Sequence, residues 1–265
     1  MTQRPLSALT FVAIDTETTG GSASADADRI VELAAVRFTL AGVEAVWERT
    51  IWPHRPISPW AQRLHGIDIE QLGDAPCFHE VVDDFLAFVD GAVVVMHNAP
   101  FDCAFLGVQL AEVERRWQPI VFDTLRLLRR HFHLPSNSLG PAIRHFGLPV
   151  PPTHRAASDA EATAHLFLHL LQRLGAPTGL ADCLRLHGAP STVSLRVPQG
   201  ASPAVVSAAR AGTPVAVHYS TRGTPLVGRI EGLAVGERAG YCTLRLTNSR
   251  RLHLAHDRIL RVDRH

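Results

Sequence analysis

The stretch FVAIDTETTGG, Phe11–Gly21, constrains this 265-residue chain more than any other. Its apolar start has the composition of a buried strand, yet it carries Asp15 and Glu17. Acidic side chains are depleted in strands and costly to bury unpaired. Alternate residues of a strand share a face, so Asp15 and Glu17 point the same way as Phe11 and Ala13. Two carboxylates that close repel in a low dielectric, unless one is protonated or a cation lies between them. Hard oxygen ligands of this kind favour Mg2+ or Mn2+. Two surface acids on an edge strand fit the same residues, because short acidic motifs recur by chance.

The rest of the front half alternates strand and helix signals. RIVELAAVRFTLAGVEAVWERTIWP reads as two strands with a turn near Ala41-Gly42. Helical periodicity begins after Pro76, where Val81, Phe85, Leu86 and Val89 share one face. AVVVMHN reads as a short strand, followed by a helix over APFDCAFLGVQLAEVERRW. VFDTLRLLRRHF and SLGPAIRHFGL read as two shorter helices. SDAEATAHLFLHLLQRLG reads as a long helix, with Ser158 and Glu161 matching a capping box and Gly175 closing it. Strands interleaved with helices imply an α/β layer fold ending near Leu174. Residues 176–203, rich in Pro and Gly, read as a linker with room for one short helix at Leu180–His187. From residue 204 the segments become short and alternating, as in a small β-rich module.

Three further residues matter for Asp15 and Glu17. Asp102 follows VVVMHNAPF at a strand-to-helix junction, and Asp159 lies at the start of the long helix. Each alone is explained by the helix macrodipole, which favours an acid in a first turn. His154 precedes Asp159 by five residues in THRAASD. The ordered set DTETTG, HNAPFD and HRAASDA resembles the three motifs of the DEDDh 3′–5′ exonucleases. These are the DnaQ-like enzymes that include the proofreading epsilon subunit of bacterial DNA polymerase III. RLHGI and FDTLRLLRR resemble two further segments of that family, and the resemblance runs from about Phe11 to Leu174.

The resemblance implies an RNase H-like fold, a mixed five-stranded sheet with helices on both faces. It implies that Asp15, Glu17, Asp102 and Asp159 hold two divalent cations, Mg2+ or Mn2+, with His154 as general base. Two ions about 3.5–4 Å apart serve an in-line displacement at phosphorus by activating water and stabilising the leaving oxygen. A base with a pKa near neutral suits that chemistry. Position 155 is Arg, where the alternative subgroup has Tyr, so the His version matches. The resemblance also points to Thr18, Thr19, Gly20, His65, Asn98 and Phe101 as substrate-binding residues. A tight turn at Thr18–Gly20, a helix end at His65, and capping and packing at Asn98 and Phe101 explain the same residues structurally. The expected substrate is a single-stranded 3′ end, with DNA favoured. Alternatives are an exoribonuclease acting on short RNA or tRNA ends, and an inactive exonuclease fold that binds nucleic acid as a regulator. A polymerase partner is possible in this family, but no clamp-binding peptide of the Gln-x-x-Leu-Phe kind is present.

The net charge of +1 hides an asymmetry. Residues 1–189 carry 15 Arg against 21 Asp and Glu, whereas 190–265 carry 11 Arg against 4. The basic end suits a polyanion. Its segments VAVHYS, GRIEGL, GYCTL and HDRILRV resemble a WYL domain, a small SH3-like or Sm-like β-barrel, with the signature blurred to Gly240-Tyr241-Cys242. The implied organisation is an exonuclease domain over 1–175, a linker over 176–203 and a WYL-like domain over 204–265. Arg229, Arg245, Arg250, Arg251 and Arg258 are its candidate phosphate contacts. Four scattered cysteines without a CxxC pair read as reduced thiols. MTQRPLSAL lacks the pattern of a secretory signal, and no apolar run reaches the length of a membrane span. A cytoplasmic location without membrane association is therefore expected.

Overall fold

The computed structural model describes residues 4–21, 23, 28–188, 203–219, 225–233, 241–248, 251–255 and 259–264. Two compact units make up the chain: Met1–Gly21, Arg29–Leu106 and Trp117–Ser194 form the first, and Ser22–Asp28, Gly107–Arg116 and Leu195–His265 the second.

The first unit is built on β1 (Phe11–Thr18), β2 (Ile30–Thr39), β3 (Gly42–Thr50), β4 (Val93–Met96) and β5 (Val121–Asp123). They form a mixed sheet in the order β3-β2-β1-β4-β5. β1 pairs antiparallel with β2 and parallel with β4, and β4 pairs parallel with β5. β1 is thus central, not an edge. Both its faces are covered, so seven of its eight residues are buried and no polar alternation appears.

The helices are α1 (Pro59–His65), α2 (Phe78–Val89), α3 (Ala99–Glu112), α4 (Thr124–His131), α5 (Leu139–Phe146), α6 (Ala156–Arg173) and α7 (Leu180–His187). On one face of the sheet, α6 inserts Phe167 among Phe11, Phe38 and Phe122. On the other, Phe85 of α2 packs on Trp47 of β3, with ring centroids 5.4 Å apart.

The direction of α6 follows from length matching. From Phe167 back to Asp159 the helix rises about 12 Å. From Phe11 to Asp15 the strand rises about 13 Å. A helix that seats Phe167 on Phe11 therefore brings Asp159 to the level of Asp15.

The reading of the second half of this unit needs two corrections, at β5 and at the start of α6, while the short helix at Leu180–His187 forms as read. VFDTLRLLRRHF is not helical throughout: Val121–Asp123 pair with β4, and the helix starts at Thr124, capped by Asp123 Oδ1 accepting from Leu125 N–H (2.9 Å). A three-residue strand is too short to show a period of its own. α6 starts at Ala156, two residues before the expected cap. Ser158 is inside the first turn and donates its hydroxyl to the Pro151 carbonyl (3.2 Å). The short helix read within residues 176–203 is α7, and its Leu180 and Cys183 are buried in the same core as Phe167.

The second unit contains α8 (Pro203–Ala211), β6 (Val215–Tyr219), β7 (Leu226–Leu233), β8 (Tyr241–Leu246), β9 (Arg251–Ala255) and β10 (Ile259–Arg264). The strands form an antiparallel sheet in the order β10-β6-β7-β8-β9, and no pairing between β9 and β10 closes it among the described residues. Val205 and Ala208 of α8 share a core with Val215, Val217, Leu226, Ile230, Leu244 and Leu254.

Gly228 is where β7 meets β8 most closely: a Cβ there would lie 2.0 Å from the Arg245 carbonyl oxygen. Backbone cannot yield as a flexible side chain can. Gly228→Ala is expected to destabilise this sheet by about 1–3 kcal/mol, the usual cost of overpacking. Hydrogen exchange at β7 and β8 checks it; unchanged protection would mean that the two strands do not meet in this register.

Among the described residues, no helix is long and apolar enough to cross a membrane. Cys77, Cys103 and Cys183 are free thiols.

Candidate active site

β1, β4 and β5 run parallel, and the carboxyl ends of β1 and β4 open onto one cleft, where ligands of open α/β sheets bind. The cleft encloses about 170 Å³ and is lined by Asp15, Glu17, Thr18, Trp60, Leu64, His65, Asn98, Phe101, Asp102, His154 and Asp159, among others. All four predicted metal ligands and the predicted base therefore converge. They come from β1, the start of α3 and the start of α6, up to 144 positions apart in sequence.

Each side chain has a local reason for its place. Asp15 and Glu17 continue the face that buries Phe11 and Ala13, beyond the point where apolar packing ends. Asp102 is buried in the first turn of α3, and its Oδ1 accepts the Thr16 hydroxyl (2.7 Å). Asp159 Oδ1 accepts the Thr153 N–H (2.9 Å). His154, between them in sequence, is exposed and takes a left-handed backbone, φ 56°. Asn98, also on the cleft wall, has φ 68°. Such angles are uncommon for residues other than glycine and cost energy that surrounding contacts must offset. At Asn98 the contact is Asp123, whose Oδ1 accepts the Asn98 N–H (3.0 Å) while also capping α4.

The electrostatics are those of a cation site. Burial, and then the charges of Asp102 and Glu17, push the Asp15 carboxyl well above its ordinary range. Burial, reinforced by Asp159 and Glu32, pushes Glu17 up to about 8. Burial raises Asp102 to about 7 against the hydrogen bond from Thr16, and it also raises Asp159. The donor atoms of Glu17, His154 and Asp159 lie within 4.8 Å of one another, close enough to hold one metal ion. Oxygen-rich donors whose mutual repulsion a divalent charge would relieve fit Mg2+ or Mn2+.

A pH prediction follows for the protein without metal. These carboxyls bind protons more tightly folded than unfolded, so stability is present at low pH and is lost as pH rises from about 4, the unfolded value, through about 8. Thermal melts in chelator should fall in midpoint across that window, and Mn2+ should flatten the trend. A midpoint that rises with pH in chelator would contradict the clustered carboxyls.

The predicted substrate-binding residues divide. Thr18, His65, Asn98 and Phe101 line the cleft; Thr19 and Gly20 are buried and do not. The Thr19 hydroxyl oxygen accepts the Arg29 N–H (3.0 Å), so Thr19 holds the turn after β1. His65 Nδ1 accepts the Ile67 N–H (3.0 Å), which leaves Nε2–H to donate to the Thr18 carbonyl (3.2 Å). Both ring nitrogens serve the backbone, so His65 shapes the cleft floor and can meet a ligand only through its ring surface.

Several residues of the site were absent from the sequence reading. Trp60 and Leu64 expose 55% and 39% of their surface on the cleft rim, one turn apart on α1. His97 forms part of the wall, and burial drops it to about 4, so it stays neutral and does not compete with a cation. Glu32 and Arg155 form an ion pair behind Glu17.

In the second unit, Arg229 and Arg245 are exposed and sit directly opposite each other on β7 and β8. Arg251 is the cross-strand partner of Arg245 on β9. Arg250 and Arg258 lie outside the described residues.

The chain is similar to known proteins in sequence and in fold. DNA polymerase III PolC-type of Caldanaerobacter subterraneus is 36% identical over 165 residues, covering 62% of this chain and 12% of that protein. The epsilon subunit of DNA polymerase III of Treponema pallidum is 37% identical over 171 residues, covering 61% of this chain and 76% of that subunit. The chain thus spans about an eighth of the first relative and about three quarters of the second. Among solved structures, Exonuclease X in complex with 5′ overhanging duplex DNA superposes with TM-score 0.53 at 28% identity, covering 67% of this chain and 99% of that one. Escherichia coli ExoI in a complex with single-stranded DNA superposes with TM-score 0.58 at 17% identity, covering 89% of this chain and 54% of that one, a likeness of fold alone. The family model described as Exonuclease matches residues 12–167, more than half of the chain. The chain belongs to the exonuclease family.

Proposed function

We propose that the first unit is a 3′–5′ exonuclease of the DEDDh kind, hydrolysing phosphodiester bonds at the 3′ end of single-stranded nucleic acid, DNA above RNA, to release nucleoside monophosphates. The observation that carries this is the convergence of Asp15, Glu17, Asp102, Asp159 and His154 in one cleft with an apolar rim. The four carboxylates would hold two divalent cations, Mg2+ or Mn2+, which when bound make water a nucleophile near neutral pH and offset charge on the leaving oxygen. His154, exposed at the cleft and reaching the same group of donors, is placed to take the proton of the attacking water. Thr18 and Asn98, on the cleft wall, would position the terminal sugar.

Trp60 offers a base a stacking surface. Stacking on an aromatic ring contributes about 1–3 kcal/mol per base. Trp60→Ala is therefore expected to raise KM for a single-stranded oligonucleotide about tenfold or more with little change in kcat. Steady-state kinetics check it, and an unchanged KM would remove Trp60 from the substrate path.

The second unit is proposed as a WYL-like module of the SH3/Sm type that grips the phosphate backbone. Arg229 and Arg245 put exposed positive charge on neighbouring strands, which a phosphate backbone would meet favourably. A polymerase partner belongs to the same proposal only through the relatives' assemblies.

The overall reading is tested with paired DNA and RNA oligonucleotides carrying either a free 3′-hydroxyl or a blocked 3′ end. Release of nucleoside monophosphates from the free 3′ end alone is expected, faster from DNA. Equal cleavage of the blocked ends would point to a different activity, and faster release from RNA would favour an exoribonuclease.

A further inference from the structure

Glu32 is fully buried on β2, directly opposite Glu17 of β1, and no local pattern explains an acid there. Its carboxylate is filled with partners from a segment more than 120 residues away. Arg155 Nε donates to both Oε1 (3.0 Å) and Oε2 (3.1 Å), and Arg155 Nη2 donates again to Oε1. Ala156 N–H donates to Oε2 (2.8 Å), so Glu32 also supplies the N-terminal cap of α6 that no nearby side chain provides. The pair fixes the chain just after His154, at Arg155 and Ala156, while the Thr153–Asp159 bond fixes it just before. A histidine in a left-handed conformation thus sits between two fixed points.

Stability alone does not account for this arrangement. Desolvating two charges roughly cancels their attraction, and apolar side chains fill such space equally well. Arg155 remains half exposed and lies near enough to Glu17 for its charge to be felt there. Without Glu32, the carboxylates left to that guanidinium are Glu48 and Glu17, and of these Glu17 lines the cleft.

We propose that Glu32 and Arg155 are a positioning clamp: the pair holds His154 and Asp159 against Glu17 and keeps the Arg155 guanidinium from occupying the place of a cation. This rests on the nuclease reading above, and neither residue touches the substrate.

The test compares wild type, Glu32→Gln, Arg155→Lys and the double variant Glu32→Gln/Arg155→Gln in the full chain. Two readouts are taken on protein shown to be folded by circular dichroism: kcat and KM on single-stranded DNA, and Mn2+ affinity by calorimetry without DNA. Gln keeps an acceptor for the Ala156 amide but releases Arg155. Glu32→Gln is expected to lower kcat and Mn2+ affinity each by about 10–100-fold, the scale seen when groups supporting metal ligands are lost, with KM within about twofold. The double variant is expected to recover part of the Mn2+ affinity, because no free guanidinium remains. Arg155→Lys keeps the charge but loses the fork, and its kcat should fall by less than in Glu32→Gln. If Glu32→Gln fails to fold, Arg155→Lys and the calorimetry decide. Wild-type kcat and Mn2+ affinity in the folded variants would overturn the clamp and leave a purely structural ion pair. A wild type that binds Mn2+ but cleaves no nucleic acid would refute the nuclease reading instead, and the Mn2+ affinities would still decide the clamp.

Discussion

Asp15→Asn is expected to lower nuclease activity by about 10³-fold or more, the upper range for losing one preorganised electrostatic group in an active site, while leaving the chain folded and no less stable in chelator. The two halves of this result have one cause. Asp15 stands midway along the central strand, and burial, followed by the charges of Asp102, Glu17, Asp159 and Glu32, pushes its carboxyl upward. An isosteric amide removes that repulsion, so the metal-free protein gains where the metal-loaded protein loses. Mn2+ should then raise the melting temperature of the wild type much more than that of Asp15→Asn. Asp159→Ala should share the loss of activity. A variant that keeps activity with Mg2+, or a large loss of stability in chelator, would contradict the role assigned to Asp15.

Phe167→Ala is expected to be the most destabilising single truncation in the first unit. The ring is fully buried, and its centroid lies 5.5 Å from Phe11, 6.3 Å from Phe38 and 5.6 Å from Phe122. It therefore ties α6 to β1, β2 and β5 at once. Removing a buried aromatic ring costs about 3–5 kcal/mol, a large part of the roughly 5–15 kcal/mol that holds a domain folded. Because α6 carries Asp159 at its other end, activity per folded molecule should fall as well. Chemical denaturation measures the first effect; a change below about 1 kcal/mol would mean that α6 is not anchored there.

Much of the site was legible in the sequence because its carboxylates lie at positions the chain must bring together. Strand alternation put Asp15 and Glu17 on one face, and the resemblance of HNAPFD and HRAASDA to exonuclease motifs marked Asp102, His154 and Asp159. The parts that escaped depend on distant partners. The S-x-x-E pattern at Ser158 misplaced the start of α6, because the true cap comes from Glu32 on another strand. β5 was hidden inside a helical pattern, since three residues cannot declare a period. α1 was read only as a helix end at His65, because seven residues with a proline at the start show little periodicity, and Trp60 and Leu64 went unread. Asp123 looked like part of a helix, yet it fixes the left-handed Asn98 at the cleft. Thr19 and Gly20, next to Glu17 in sequence, turn inward because the backbone after β1 is held by Arg29 and Ser58.

In the proposed function Asp15, Glu17, Asp102, Asp159 and His154 form a metal-dependent site acting from the 3′ end. The most direct measurement follows a 5′-labelled single-stranded DNA with time, with Mn2+ or with chelator. A ladder that shortens one nucleotide at a time with Mn2+, and no change in chelator, is the expected result. Shortening in chelator, or immediate loss of the label as a mononucleotide, would contradict it.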